Sequence, residues 1–118
     1  DNVVNQKMLC KMLQRMGHVV KVAEHGQIAV DEIKADASYN LVLMDVQMPI
    51  MDGIEATQHI RGKLGFDKER LPIVGVTASF EHSSMGYYHE VGMNTCIGKP
   101  ARMNIIKRVI AETARQPT

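Results

Sequence analysis

Four residues with chemically useful side chains stand at points of the sequence that a parallel sheet would bring together. Three end short apolar segments and the fourth begins the chain: Asp45, Thr77, Lys99 and Asp1. The carboxyl ends of parallel strands meet at one edge of a sheet, and ligands of open α/β sheets bind outside that edge. We therefore expect two carboxylates, a hydroxyl and an ammonium to form a small ionic pocket.

Such a pocket is suited to phosphorus chemistry. Two neighbouring carboxylates repel each other, and Mg²⁺ relieves the repulsion because it binds through one or two carboxylates together with waters and phosphate oxygens. A carboxylate oxygen can then attack phosphorus, while the cation, Lys99 and Thr77 neutralise the charge on the phosphoryl oxygens. The residue types predict an aspartyl-phosphate intermediate. The sequence has no glycine-rich loop of the P-loop kind, so a nucleotide is not the expected donor.

Composition excludes several other classes. A chain of 118 residues has the size of one domain, and its net charge of +1 does not suggest nucleic-acid binding. No apolar run approaches the roughly 18 residues of a membrane span. Cys10 and Cys96 are too few for a disulfide framework and lack metal-ligand spacing, which favours a reducing cytosolic setting. None of the five histidines pairs with Cys or Glu at metal spacing, so we expect structural or solvated roles for them.

Helical and strand patterns alternate along the chain, which indicates a parallel sheet covered by helices on both faces. Asp52 and Glu55 resemble a capping box at the start of the third helix. In chain order we predict a helix over 4–16, a strand over 19–23, a helix over 28–37, a strand over 41–45, a helix from 52 that fades near 62–65, a strand over 72–77, a helix over 81–91 that Ser79 can cap, a strand over 95–98 and a helix with its apolar stripe at Met103, Ile106 and Ile110.

This alternation begins on a helix, so four predicted strands accompany five helices. We expect the first strand to lie just upstream of Asp1 in the natural protein and to be absent from this sequence. In the flavodoxin-like order 2-1-3-4-5 that strand is central. The chain without it should therefore fold poorly unless another segment takes its position.

The segment Leu41-Val42-Leu43-Met44-Asp45-Val46-Gln47-Met48-Pro49, followed by Met51-Asp52-Gly53, resembles the phosphoacceptor signature of response-regulator receiver domains. Further motifs fall in the order of that family over the whole chain: Asp1-Asn2, Gly17-His18, Pro72-Ile73-Val74, Thr77-Ala78, Gly92-Met93-Asn94 and Lys99-Pro100. The motifs are most similar to those of receivers attached to hybrid histidine kinases. The resemblance implies one flavodoxin-like (βα)₅ domain over residues 1–118, a three-layer sandwich with sheet order 2-1-3-4-5 that lacks its first strand.

The resemblance also implies roles for single residues. Asp45 would be phosphorylated, and Asp1 would be a metal ligand and the second member of an acidic pair whose first member is not in this chain. The Gln47 backbone carbonyl would complete the protein's ligands to Mg²⁺. Thr77 would be the switch hydroxyl that moves toward the phosphoryl group. Lys99 would form an ion pair with the phosphoryl group, and the Ala78 amide would donate a hydrogen bond to it.

The family also implies roles in hydrolysis, in lysine orientation and in switching. The side chains of Gln47 and Ser79 would tune hydrolysis of the aspartyl phosphate, and a cis peptide bond before Pro100 would aim the lysine inward. Receivers usually carry a Tyr or Phe three residues before the lysine, and this chain has Cys96 there. This small side chain has no ring to bury on activation.

A receiver would take the phosphoryl group from a phosphohistidine on a histidine kinase or histidine phosphotransfer protein, and would shift its surface around the fourth helix and fifth strand. It would promote its own phosphorylation and slow dephosphorylation, although it is mainly a signalling module, located in the cytoplasm and without contact to nucleic acid or membrane. The alternative is a pseudo-receiver that binds partners without being phosphorylated; Cys96 and the absent first acid favour it, whereas Asp45, Thr77 and Lys99 argue against it. A flavodoxin-like cofactor binder is disfavoured, since there is no Trp and no phosphate loop after a strand.

Overall fold

A computed structural model describes residues 2–23, 25–36, 38–47, 50–78, 85–99 and 102–114, with backbone alone for 2–6. Helices and strands alternate from the second element onward, as the sequence pattern predicts. In chain order the elements are α1 (Asn2–Arg15), α2 (Gly26–Ala35), β1 (Val42–Asp45), α3 (Gly53–Gly62), β2 (Ile73–Thr77), α4 (Met85–Val91), β3 (Thr95–Gly98) and α5 (Met103–Thr113).

The three strands form one parallel sheet in the order β1-β2-β3. Asp45 pairs with Val76, and Thr77 pairs with Gly98, so the ends of the three strands meet at one edge. All five residues of β2 are buried because this strand has a neighbour on each side, whereas β1 is only partly buried. The register therefore brings the three strand-end side chains predicted from the sequence to one edge of the sheet.

Two apolar clusters, one on each face of the sheet, make the described chain a three-layer structure. Ile73 of β2 packs with residues of α2, α3 and α4 on one face, and its neighbour Val74 packs with residues of α1 and α5 on the other. Successive residues of a strand point to opposite faces, so one strand serves both clusters. The predicted flavodoxin-like class, a parallel sheet between two layers of helices, is confirmed.

The strand predicted over Val19–Ala23 is wrong for the described structure: residues 18–23 form no strand. Val19 is fully exposed and Val22 is half exposed. A strand exists only where a neighbouring strand exchanges hydrogen bonds with it. In the order 2-1-3-4-5 this segment would pair with the first strand alone, and the described residues contain no such neighbour.

Particular residues mark the ends of three helices, and their contacts explain how they do so. Gly17 has φ of 91° and ends α1, as an αL glycine commonly does. The carboxylate of Asp52 accepts a hydrogen bond of 2.9 Å from the backbone N–H of Glu55, which confirms the predicted cap of α3. α2 begins at Gly26, two residues before the predicted start, because the His25 ring accepts the Ile28 N–H and caps it. The predicted cap of α4, Ser79, lies outside the described residues.

Arg61 of α3 joins several segments at the edge of the sheet opposite the strand ends. Its guanidinium donates to the carbonyls of Phe66, Asp67, Leu71 and Gly92 and to the Asn94 side chain, over 2.7–3.1 Å. Asn94 in turn accepts from the Ile73 N–H at the start of β2. Burial lowers the pKa of the guanidinium.

No helix in the described part of the chain combines the length and apolar character needed to cross a bilayer.

Candidate functional site

Asp45 is the last residue of β1, and its two carboxylate oxygens have different partners. Oδ2 accepts a hydrogen bond from Lys99 Nζ over 2.8 Å, and Oδ1 accepts from the Gln47 backbone N–H over 3.0 Å. The side chain retains 20% exposure, so solvent still reaches it. The carboxylate is therefore held in one orientation at the open edge of the sheet.

The local sequence holds this strand end in place. Val46 donates its N–H to the Val76 carbonyl at 2.9 Å, which extends the pairing of β1 and β2 by one residue beyond Asp45. α3 then begins directly against the strand, where Gly53 donates its N–H to the Val46 carbonyl. A Cβ at Gly53 would lie 2.3 Å from the Asp45 carbonyl oxygen. Only glycine allows this approach, so Gly53 lets α3 begin directly beside the end of β1.

Lys99 comes to Asp45 from the end of β3. Its backbone N–H donates to the Thr77 carbonyl at 2.8 Å, which positions the start of the side chain. Its side chain is 22% exposed, and the ion pair with Asp45 is thus partly shielded from water. A charge-assisted hydrogen bond of this length is stronger than a neutral one.

Thr77 ends β2, between the other two strands, and is fully buried. Its hydroxyl accepts a hydrogen bond of 3.2 Å from the Gln47 side-chain amide. Gln47 itself is exposed. Lys99 and the Gln47 backbone thus contact Asp45, and the Gln47 side chain contacts Thr77, which is a contact that the sequence did not predict. No local sequence pattern signals this contact, because the two residues are 30 positions apart.

Other predicted positions have simpler surroundings. Ala78 directly follows Thr77 and is exposed. Cys96 is a residue of β3, and its side chain, with 3% exposure, packs in the apolar cluster that contains Ile73; burial raises the pKa of its thiol to about 11. A Cβ at Gly75 would lie 2.6 Å from Met93 Sδ and 3.1 Å from Cys96 Sγ, so both sulfur side chains fill the space that this glycine leaves. Asp1, Ser79 and Pro100 lie outside the described residues.

The oxygen donors near Asp45 suit a hard cation. No three His, Cys, Asp or Glu side chains within the described ranges are grouped so as to hold a metal. The described part of the predicted ligand set is the Asp45 carboxylate and the Gln47 carbonyl. Mg²⁺ is commonly bound by one or two carboxylates with waters, whereas Zn²⁺ in structural sites requires four protein ligands, usually Cys and His. These donors fit Mg²⁺ in kind.

Known proteins resemble this chain over nearly its whole length. The model of the response regulator receiver domain matches residues 1–111. The chain is 38% identical over 117 residues to the osmosensing histidine protein kinase SLN1 of Saccharomyces cerevisiae, across 95% of this chain and 9% of that kinase. It is 31% identical over 113 residues to hybrid signal transduction histidine kinase A of Dictyostelium discoideum, across 95% of this chain and 5% of that kinase. The chain spans less than a tenth of the length of either relative.

Two solved structures have the same fold at useful sequence identity. The receiver domain of a Pseudomonas aeruginosa sensor histidine kinase, with a magnesium ion coordinated in its active site cleft, has a TM-score of 0.82 and 30% identity, over 96% of this chain and 90% of that one. The receiver domain of the Saccharomyces cerevisiae response regulator Ssk1, crystallised with the histidine phosphotransfer protein Ypd1, has a TM-score of 0.82 and 31% identity, over 96% and 83%. The predicted similarity to hybrid kinase receivers is confirmed by these matches. This chain belongs to the response regulator receiver domain family.

Proposed function

We propose that this receiver domain accepts a phosphoryl group on Asp45 from a phosphohistidine of a partner protein, and that the modified domain presents an altered surface. The observation that carries the proposal is the 2.8 Å contact between Lys99 Nζ and Asp45 Oδ2 at the open edge of the sheet. An ammonium there does more than stabilise the fold. It lies where negative charge accumulates when a carboxylate becomes an acyl phosphate.

The transfer step conserves charge and atoms in a simple way. An oxygen of Asp45 forms a bond to phosphorus while the bond between phosphorus and the imidazole nitrogen of the donor breaks. The bonding electron pair returns to that nitrogen, which is protonated by solvent. The product is an acyl phosphate on Asp45 and a free histidine on the partner.

The remaining groups of the site position the phosphoryl group and neutralise its negative charge. Lys99 stays beside the phosphorylated carboxylate, and the Thr77 hydroxyl and the Ala78 amide donate to phosphoryl oxygens. The Asp45 carboxylate, the Gln47 carbonyl and Asp1 would hold Mg²⁺, which supplies positive charge to the same oxygens. Ser79 and the exposed Gln47 side chain would govern access of water to the acyl phosphate, and so the rate of its hydrolysis.

The relatives support the class of partner. Matched proteins are histidine kinases, and one similar receiver has been crystallised with a histidine phosphotransfer protein. We therefore propose a histidine kinase or a phosphotransfer protein as the donor. Such phosphorelay proteins work in the cytoplasm, where we also place this domain. After transfer, movement of Thr77 would alter α4 and β3, with no aromatic ring needed at the position of Cys96.

The test is phosphorylation by a small phosphodonor. The protein is incubated with acetyl phosphate and Mg²⁺, and intact-mass spectrometry follows the gain of one phosphoryl group. We expect modification of the wild type and of Asp52→Asn, a matched carboxylate change that keeps the helix cap, and none of Asp45→Asn or without Mg²⁺. An unmodified wild type, or equal labelling of Asp45→Asn, would reject the proposal and favour a pseudo-receiver.

A further inference from the structure

The side chain of Gln47 touches the residue that is proposed to switch. Its Nε2 lies 3.2 Å from the Thr77 hydroxyl oxygen and its Oε1 lies 3.4 Å from the same atom. The two ends of a side-chain amide are assigned from their surroundings, and here both lie within hydrogen-bonding distance. The contact therefore exists in either orientation of the amide, with the hydroxyl accepting in one and donating in the other.

Gln47 also contacts the phosphoacceptor through its main chain. Its backbone N–H donates to Asp45 Oδ1 over 3.0 Å. One residue thus joins the carboxylate at the end of β1 to the hydroxyl at the end of β2, across 30 positions of sequence between Gln47 and Thr77. Thr77 is fully buried, whereas Gln47 is exposed, so the contact joins a surface side chain to a hydroxyl in the interior.

This contact opposes the movement that signalling requires. A threonine hydroxyl has one proton to donate, and a hydroxyl that turns to a phosphoryl oxygen changes its distance and angle to the amide. Any interaction made only in the unmodified conformation biases the equilibrium toward that conformation by its net free energy. The bias is small, because a hydrogen bond of this kind exchanges with water when it breaks.

We propose that the Gln47 side chain is a latch that holds the Thr77 hydroxyl in the conformation of the unphosphorylated domain. The inference rests on the proposed function and extends it: the residue at position 47 sets how readily the domain adopts its phosphorylated conformation. Gln47 is a positioning residue in this respect, since it acts through Thr77. Loss of the latch makes the activated conformation easier to reach and leaves the phosphoacceptor intact.

The test uses beryllofluoride with Mg²⁺, a non-covalent substitute for a phosphoryl group on a carboxylate, so that binding is measured apart from hydrolysis. Gln47→Met keeps the length of the side chain and removes the amide. We expect about fivefold tighter beryllofluoride binding by this variant, the equivalent of one net hydrogen bond. Gln58→Met, the same change at an exposed position of α3, is the control and leaves the affinity unchanged.

A second pair of variants separates the latch from a general effect of position 47. Thr77→Val removes the hydroxyl and weakens binding by itself. In that background Gln47→Met should change the affinity by less than twofold, because there is no hydroxyl to release. Methyl spectra of labelled threonine, recorded without ligand, should shift at Thr77 in Gln47→Met and stay unchanged in Gln58→Met.

The outcomes distinguish the latch from the function on which it rests. If the wild type binds beryllofluoride and Gln47→Met binds equally well, the latch is refuted and the phosphoacceptor proposal stands. The latch is also refuted if Gln47→Met gains affinity equally with Val at position 77, because the gain then does not pass through the hydroxyl. A wild type that binds no beryllofluoride in the presence of Mg²⁺ would overturn both.

Discussion

At the scale of single residues, three side chains decide what can happen at the open edge of the sheet. Asp45 offers a carboxylate that remains accessible, Lys99 brings a positive charge to one of its oxygens, and Thr77 is buried beside them with a hydroxyl held by Gln47. The side chains of Asp45 and Lys99 remain partly exposed, so we expect changes to these two residues to affect phosphorylation more than stability.

Replacing Lys99 with methionine should slow phosphorylation by acetyl phosphate about 100-fold, a typical cost of removing one preorganised donor from developing negative charge. The folded state should be largely unaffected, because the ion pair is partly exposed. Rates from intact-mass time courses test this, with Lys63→Met at the exposed end of α3 as the matched control. A variant that is phosphorylated as fast as Lys63→Met would contradict the role given to Lys99.

The two cysteines should differ in reactivity. Burial raises the pKa of the Cys96 thiol to about 11, so at pH 8 this group stays protonated in the folded protein, and the thiolate is the reactive form. Cys10 is half-buried and accessible. A thiol reagent at pH 8 should modify one cysteine rapidly in the native protein and both in denaturant. Cys10→Ser should abolish the rapid phase; its survival in that variant would mean that Cys96 is reached.

Ile50 carries local strain. It has φ of 67°, in the left-handed region that a β-branched residue adopts only at a cost, and its side chain is 79% exposed. Asparagine tolerates this backbone conformation, and little apolar burial is lost with the isoleucine. We expect Ile50→Asn to raise the free energy of unfolding by about 1 kcal/mol in urea titrations. A lower stability than wild type would show that the isoleucine makes contacts worth more than the strain.

At the scale of elements, helix caps near the site and the long-range hydrogen bonds of Arg61 away from it hold the ends of helices and strands in place. The Asp52 cap and the close approach of Gly53 set where α3 begins beside Asp45. At the opposite edge, Arg61 connects the end of α3 to the loop before β2 and to the residues after α4. The caps can be predicted from sequence because the two partners are three residues apart. The Arg61 contacts cannot, because some of its partners lie more than 30 residues away.

Arg61→Lys should destabilise the fold by about 2–4 kcal/mol, because an ammonium cannot serve five acceptors at once and several partly buried carbonyls then lose their donor. The measurement is the midpoint and slope of urea unfolding. Arg108→Lys, an exposed arginine of α5, is the matched control and should cost less than about 0.5 kcal/mol. Equal stability of the two variants would mean that the Arg61 hydrogen bonds contribute little net free energy.

At the scale of the whole molecule, the sheet organises stability unevenly. β2 is the central strand of the described sheet and contributes to both apolar clusters, whereas β1 has one strand neighbour and residues 18–23 have none among those described. Opening free energies follow such differences in pairing and burial. The edge that carries Asp45 is thus attached to the most buried strand through β1–β2 pairing.

Amide hydrogen exchange should reflect this order. We expect the slowest exchange in Val74–Val76, intermediate exchange in β1, and rapid exchange over Val19–Ala23, where the described structure provides no strand partner. Peptide-level mass spectrometry with deuterium resolves these segments. Protection of Val19–Ala23 equal to that of β2 would show that this segment pairs as a strand in solution, as its β-branched pattern indicates.

That segment shows where sequence reasoning reaches its limit. Val19–Ala23 has the β-branched pattern of a strand, and the prediction failed because a strand also needs a neighbour to bond with. The other three strands were predicted correctly. One of them is the central strand β2, and the other two, β1 and β3, each pair with it. Propensity and pattern describe a segment's preference, and pairing decides whether the preference is realised.

By itself the sequence determined that this is an alternating α/β chain with Asp45, Thr77 and Lys99 at strand ends, because each ends an apolar run and parallel strands end together. It also determined the family, through motifs spaced along the chain. Only the tertiary structure decided the contact of Gln47 with Thr77, the five acceptors of Arg61 and the burial of Cys96. Each of these depends on side chains far apart in sequence meeting at hydrogen-bonding or packing distance, and no local pattern encodes such distances.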